Sequence, residues 1–138
     1  VSKNGQKNSW RSEKALLDYI ARLSRKLKEV RVVLFGSQAT GENCRYSDYD
    51  LLVISDSLPS DFHKRIDLLW EEKPSFIDAI GLKVDEIKEM IHRTLILKAL
   101  TQGVVLKGNI NFLRTLAHRY MKKEGLIPTP IGFTHNRP

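Results

Sequence analysis

The sequence is short of the residues that staple or anchor a chain. One cysteine stands among its 138 residues, Cys44, so no internal disulfide can form and a reducing, cytoplasmic setting is expected. No apolar run approaches the roughly 20 residues of a membrane-spanning helix. The opening stretch, VSKNGQKNSW, is polar, so neither a membrane contact nor a signal peptide is expected. The four histidines, His63, His92, His118 and His135, are dispersed without the spacing of a zinc site. Repeats and low-complexity tracts are absent. Acidic residues are also in deficit, 16 against 23 Lys and Arg, which leaves a net charge of +7. That excess admits either attraction to polyanions or a basic, solvated surface, so nucleic acid stays an open partner.

With 41% apolar and 28% charged residues, the composition reads as globular, and the length fits one domain with tails. Residues 1–9 read as a flexible lead, 10–125 as the domain and 126–138, with its prolines, as a C-terminal tail. Leu16, Tyr19, Ile20, Leu23 and Leu27 recur at helical spacing. Val30–Phe35 and Tyr49–Ser55 are β-branched, apolar runs that read as strands. A helix follows Pro59, with Phe62, Ile66, Leu69 and Trp70 on one face, and Phe76–Ile80 reads as a third strand. The apolar pattern then predicts one long helix over Asp85–Thr101, a short strand at Val104–Leu106, and a last helix capped by Asn109 or Asn111. The order α-β-β-α-β-α-β-α predicts an α/β (α+β) fold: a small mixed sheet with helices packed mainly on one face.

The chemistry concentrates in residues 30–54, VRVVLFGSQATGENCRYSDYDLLVI. The first strand runs into Gly36-Ser37, and after ten intervening residues Asp48 and Asp50 open the second. Glycine lets a phosphate approach the backbone closely, and Ser37 offers a hydroxyl and an N–H beside it. Alternation along a strand sets Asp48 and Asp50 on one face, where two carboxylates repel unless a cation sits between them. Their hard oxygens suit Mg²⁺ or Mn²⁺. Asp78, the sole charge in the apolar run FIDAI, is the candidate third ligand, on the reading that a buried carboxylate needs a partner or a metal. An edge-strand aspartate exposed to solvent, or one paired with an arginine, is the plainer alternative. Asp56, Asp61, Asp67 and Asp85 sit where capping and solvation account for them.

Phe35-Gly36-Ser37 with Ala39 and Gly41, then Ser47-Asp48-Tyr49-Asp50-Leu51-Leu52-Val53, resemble the polymerase beta-like nucleotidyltransferase superfamily, specifically its small stand-alone minimal nucleotidyltransferases. The likeness extends in coarse layout over residues 13–108, through Asp78 and Thr101–Leu106. It implies the polymerase beta-like fold, with Gly36 and Ser37 holding a triphosphate and Asp48, Asp50 and Asp78 as catalytic metal ligands for two Mg²⁺. It also implies transfer of a nucleoside monophosphate, with ATP as expected donor, to a hydroxyl of a protein or small molecule as pyrophosphate leaves. Small members pair with helical HEPN-type proteins in toxin–antitoxin systems, so such a partner is expected, and a homo-oligomer is left open. Thr40 stands where many members carry an arginine, and Arg45 is a candidate substitute. That departure leaves an alternative: a binding subunit or antitoxin with weak or no turnover. Trp10, Trp70, Tyr46 and Tyr49 are read as packing residues and Cys44 as a bystander.

Overall fold

The computed structural model describes residues 2–36 and 49–135. The short turn or helix start at 37–41 and the loop at 42–47 expected from the sequence, and Asp48 after them, lie outside the described residues, and with them Ser37, Thr40, Cys44, Arg45 and Tyr46. Within them the order is α1 (Ser2–Lys26), β1 (Arg31–Phe35), β2 (Tyr49–Ile54), α2 (Phe62–Trp70), β3 (Ile77–Leu82), α3 (Val84–Glu89), α4 (Thr94–Gln102), β4 (Val104–Lys107), α5 (Asn111–Glu124), β5 (Leu126–Thr129) and β6 (Gly132–His135). Four strands form a mixed sheet in the order β3-β2-β1-β4. β1 pairs antiparallel with β2 and β4, while β2 pairs parallel with β3.

The expected mixed sheet is present, but its helices cover both faces, not mainly one. The reason is visible in β2, whose Leu51, Leu52, Val53 and Ile54 are all fully buried. Successive strand residues point to opposite faces, so a run of four apolar side chains needs a core on each side. Leu51 and Val53 join Val32, Ile77, Leu69 and the α1 stripe of Leu16, Tyr19, Ile20 and Leu23. Leu52 and Ile54 join Val33, Leu82 and residues of α3, α4 and α5, among them Ile87, Leu97 and Leu113. Each large aliphatic side chain buried this way contributes about 1.5–3 kcal/mol.

Several local expectations are corrected. α1 begins at Ser2 rather than near Trp10, since extending a nucleated helix costs little per residue. Phe62 and Trp70 do not face the core; they are exposed, and α2 buries Leu69 and Arg65. The predicted long helix is two, α3 and α4, broken where Arg93 N–H bonds Met90 carbonyl at 2.9 Å. Ile87 and Ile96 would lie about 180° apart on one straight helix, yet both enter the same core, and the break permits it. Asn109 contributes at the start of α5, its Oδ1 accepting from Asn111 N–H at 2.8 Å. The stretch after α5 forms a β5–β6 hairpin, with Leu126 and Phe133 against the core. Pro128 fits there because a two-stranded ribbon leaves outward positions that need no N–H.

Two interactions join α2 to its surroundings. The buried Tyr19 hydroxyl donates to the Leu69 carbonyl at 2.5 Å, and burial, partly opposed by Arg22, pushes its pKa up to about 12. The Arg65 guanidinium, 5% exposed, donates to the carbonyls of Pro59 at 2.9 Å and Gly81 at 3.1 Å, and to Glu86 Oε1 at 2.8 Å. Burial raises the Glu86 carboxyl, but the Arg65 hydrogen bond, the Lys83 N–H and both nearby charges carry it below its ordinary value.

Because the Glu86 pKa is lower folded than unfolded, the stability it contributes is complete above the unfolded value and disappears as pH falls through the folded one. Urea titrations across acidic pH should therefore show the wild type losing stability and Glu86→Gln losing less over the same window. Arg65→Met strands Glu86, whose side chain is 37% exposed. Solvent trims the loss, and the expected cost is about 2–3 kcal/mol.

Candidate active site

The register of the sheet brings two of the sequence-selected carboxylates together. Asp50 lies opposite Phe35 on β1 and opposite Asp78 on β3. Neighbouring strands run about 4.8 Å apart, and parallel register partners project to the same face. That face is the one carrying Leu52, Ile54 and Leu82 toward α3, α4 and α5. The two aspartates stand at the starts of β2 and β3, beside the end of β1.

Their surroundings differ. Asp50 is half-buried, whereas Asp78 is exposed on a strand at the end of the sheet order. The expectation of a buried Asp78 is thereby corrected: the apolar character of FIDAI comes from Ile77, buried on the other face, while Ile80 is 40% exposed. What recommends Asp78 is its register with Asp50, not burial.

Gly36 ends β1 with φ +83°, a left-handed conformation that disfavours side chains. An added Cβ there would stand 2.5 Å from Asp50 Oδ2. Glycine thus serves both the turn and the close seat of the Asp50 carboxylate against the backbone. Ser37 and Asp48, the other two sequence-selected residues, lie outside the described residues.

Tyr49 alternates with Asp50 and faces the opposite core, its ring edge-on to Phe76 at 5.8 Å between centroids. Burial, then the Glu13 charge, raises its pKa, so it packs as a neutral phenol. The segment Thr101–Leu106 reaches the same end of the sheet, since Val104 pairs with Leu34. Arg114 on α5 donates to the carbonyls of Leu100 at 3.0 Å and Gly103 at 2.7 Å. A cation there complements the C-terminus of α4. Its role was hidden because it depends on two carbonyls more than ten positions away. The four histidines are exposed.

The oxygens of Asp50 and Asp78 are hard donors on one face, the chemistry that suits Mg²⁺ or Mn²⁺. Among the described residues no group of three metal-ligating side chains gathers. The pair therefore fits a divalent ion as part of a ligand set.

The nucleotidyltransferase domain family model matches residues 16–117. The chain belongs to that family. No curated protein matches it. Among solved structures, this nucleotidyltransferase is similar to a toxin–antitoxin complex with AMP-PNP, at 22% identity and a TM-score of 0.53, over 77% of this chain and 84% of that one. It is also similar to a mutant of the toxin–antitoxin MntA–HpeT, at 20% identity and a TM-score of 0.52, again over 77% and 84%. These likenesses establish a shared fold. Among the described residues no helix is long and apolar enough to cross a membrane.

Gly108 gives the nucleotidyltransferase an internal control, since its φ is +80° and an added Cβ would meet Arg31 Cγ at 2.8 Å. Gly36→Ala and Gly108→Ala should each cost about 1–2 kcal/mol by urea titration. Only Gly36→Ala, which displaces Asp50, should also lower nucleotidyl transfer beyond what its unfolded fraction explains.

Proposed function

We propose that this nucleotidyltransferase moves a nucleoside monophosphate from ATP to a hydroxyl of a partner protein, and that the partner is a HEPN-type toxin. The observation that carries the chemistry is Asp50 in register with Asp78 beside the Gly36 turn. The donor and partner are supported by the relatives: one is a toxin–antitoxin with AMP-PNP, another a toxin–antitoxin mutated from aspartate to glutamate at two positions two residues apart. The Asp48/Asp50 spacing in this chain has the same interval.

The proposed roles follow from each residue's surroundings. Gly36, with no side chain, lets the phosphates lie close to the backbone, and Ser37 adds a hydroxyl. Asp50, seated against Gly36, is the fixed ligand, and Asp48, two positions before it in the sequence, is its proposed companion. Asp78, open to solvent, is the carboxylate an incoming acceptor can reach. It accepts the acceptor's proton as the hydroxyl oxygen bonds to the α-phosphorus. The bond from that phosphorus to the bridging oxygen breaks, and pyrophosphate departs with the electron pair. Mg²⁺, held by Asp48, Asp50 and Asp78, would supply neutralisation of the charge on the phosphate oxygens.

The test is incubation with ATP labelled at the α-phosphate, Mg²⁺ and a lysate containing the co-expressed partner. Label should appear on a protein acceptor, and Asp78→Asn should slow its appearance about 10²–10⁴-fold, with Asp50→Asn also severely impaired. Unchanged labelling in either variant contradicts the mechanism. Retained nucleotide binding without labelling in the wild type would favour a binding subunit instead.

A further inference from the structure

Among the described residues β3 has one strand neighbour, β2, and its other side is held by two cations. Tyr49 N–H bonds to the Phe76 carbonyl at 2.8 Å, and Ser55 N–H to the Leu82 carbonyl at 3.2 Å. Alternation then turns the carbonyls of Ile77, Ala79 and Gly81 away from β2. The Gly81 carbonyl accepts from Arg65 at 3.1 Å. The Ile77 carbonyl accepts from the Lys73 ammonium, which also donates to Pro74 at 3.1 Å. The ammonium sits 4.8 Å from the centroid of the Trp70 ring, and Ile77 N–H returns a bond to the Pro74 carbonyl at 3.1 Å.

The Ile77 carbonyl belongs to the peptide plane that leads into Asp78. Fixing that plane fixes the direction in which the Asp78 side chain leaves the strand. An edge residue with one neighbouring strand otherwise has freedom to rock about it, and Asp78 is exposed, so packing supplies little restraint. Lys73 provides the restraint from outside the sheet: two carbonyls orient its ammonium, and the indole face covers it.

We infer that Lys73 is a positioning residue that locks the Ile77–Asp78 peptide and so sets Asp78 against Asp50. This rests on the reading of Asp50 and Asp78 as metal ligands. Its effect reaches the site through the backbone, at one remove from the ligands. Partners of that kind alter metal affinity by about 10–100-fold when removed. Arg65, anchoring the same strand at Gly81, belongs to the buried α2–α3 clamp and acts on stability instead.

The experiment compares wild type, Lys73→Met, Lys73→Arg and Trp70→Leu in three measurements: thermal melting, Mn²⁺ affinity in the presence of ATP by electron paramagnetic resonance, and amide hydrogen exchange. Lys73→Met should weaken Mn²⁺ about 10-fold, speed exchange at residues 77–79, and leave the melting point close to wild type. Lys73→Arg should recover most of the affinity, and Trp70→Leu, at a 56% exposed position, should fall between. Unchanged Mn²⁺ affinity in Lys73→Met, or a loss matched by global destabilisation, overturns the inference. If Asp50→Asn and Asp78→Asn bind Mn²⁺ as tightly as wild type, the ligand reading has failed instead. Exchange at 77–79 then decides the backbone lock separately: unchanged exchange in Lys73→Met would remove that as well.

Discussion

The parallel pairing of β2 with β3 is the constraint from which the rest of the arrangement follows. A one-residue slip would turn every β2 side chain to the wrong face. Here the penalty applies twice, because Leu51 and Val53 fill one core and Leu52 and Ile54 the other. The register that satisfies both cores sets Asp50 level with Asp78. Parallel strands need a crossover, and α2 supplies it, tied to α1 through Tyr19 and to α3 through Arg65 and Glu86. Hydrophobic packing thereby fixes the separation of two carboxylates that would otherwise repel.

The two carboxylates occupy unlike places, and the difference suits unlike tasks. Asp50 is enclosed between two strands and pressed against a glycine that no other residue could replace without moving it. Asp78 stands at the rim, where a large acceptor can approach, and depends on backbone anchoring for its orientation. A rigid carboxylate beside an accessible one is the arrangement on which the proposed metal binding and the proposed macromolecular acceptor rest. Arg114, bound to the carbonyls of Leu100 and Gly103, stiffens the α4–β4 junction that abuts the same end of the sheet.

Much of the fold was legible in the chain because local pattern and tertiary role agree there. Val30–Phe35 and Tyr49–Ser55 read as strands from their apolar, β-branched runs, and the α1 stripe from its spacing. The continuous apolar run Leu51–Ile54 also carries the sign of a strand buried on both faces, which the order of elements alone does not show. Failures arose where long-range contacts decide. The break between α3 and α4 answers to a core that both helices share. The exposure of Phe62 and Trp70 depends on which side of α2 meets the sheet. Lys73, Arg65 and Arg114 all act on backbone carbonyls, which no side-chain pattern reveals. Within the candidate site, the Gly36 turn and the Asp50 strand start were readable, whereas the adjacency of Asp50 and Asp78 is a product of pairing across the α2 crossover.

The most direct test of the central claim is an anomalous diffraction experiment on crystals of the protein grown with Mn²⁺ and a non-hydrolysable ATP analogue. The account predicts manganese density against the carboxylates of Asp50 and Asp78, with the phosphates of the analogue over the Gly36 turn. Nucleotide bound elsewhere on the protein, or manganese density that leaves both aspartates untouched, would contradict it.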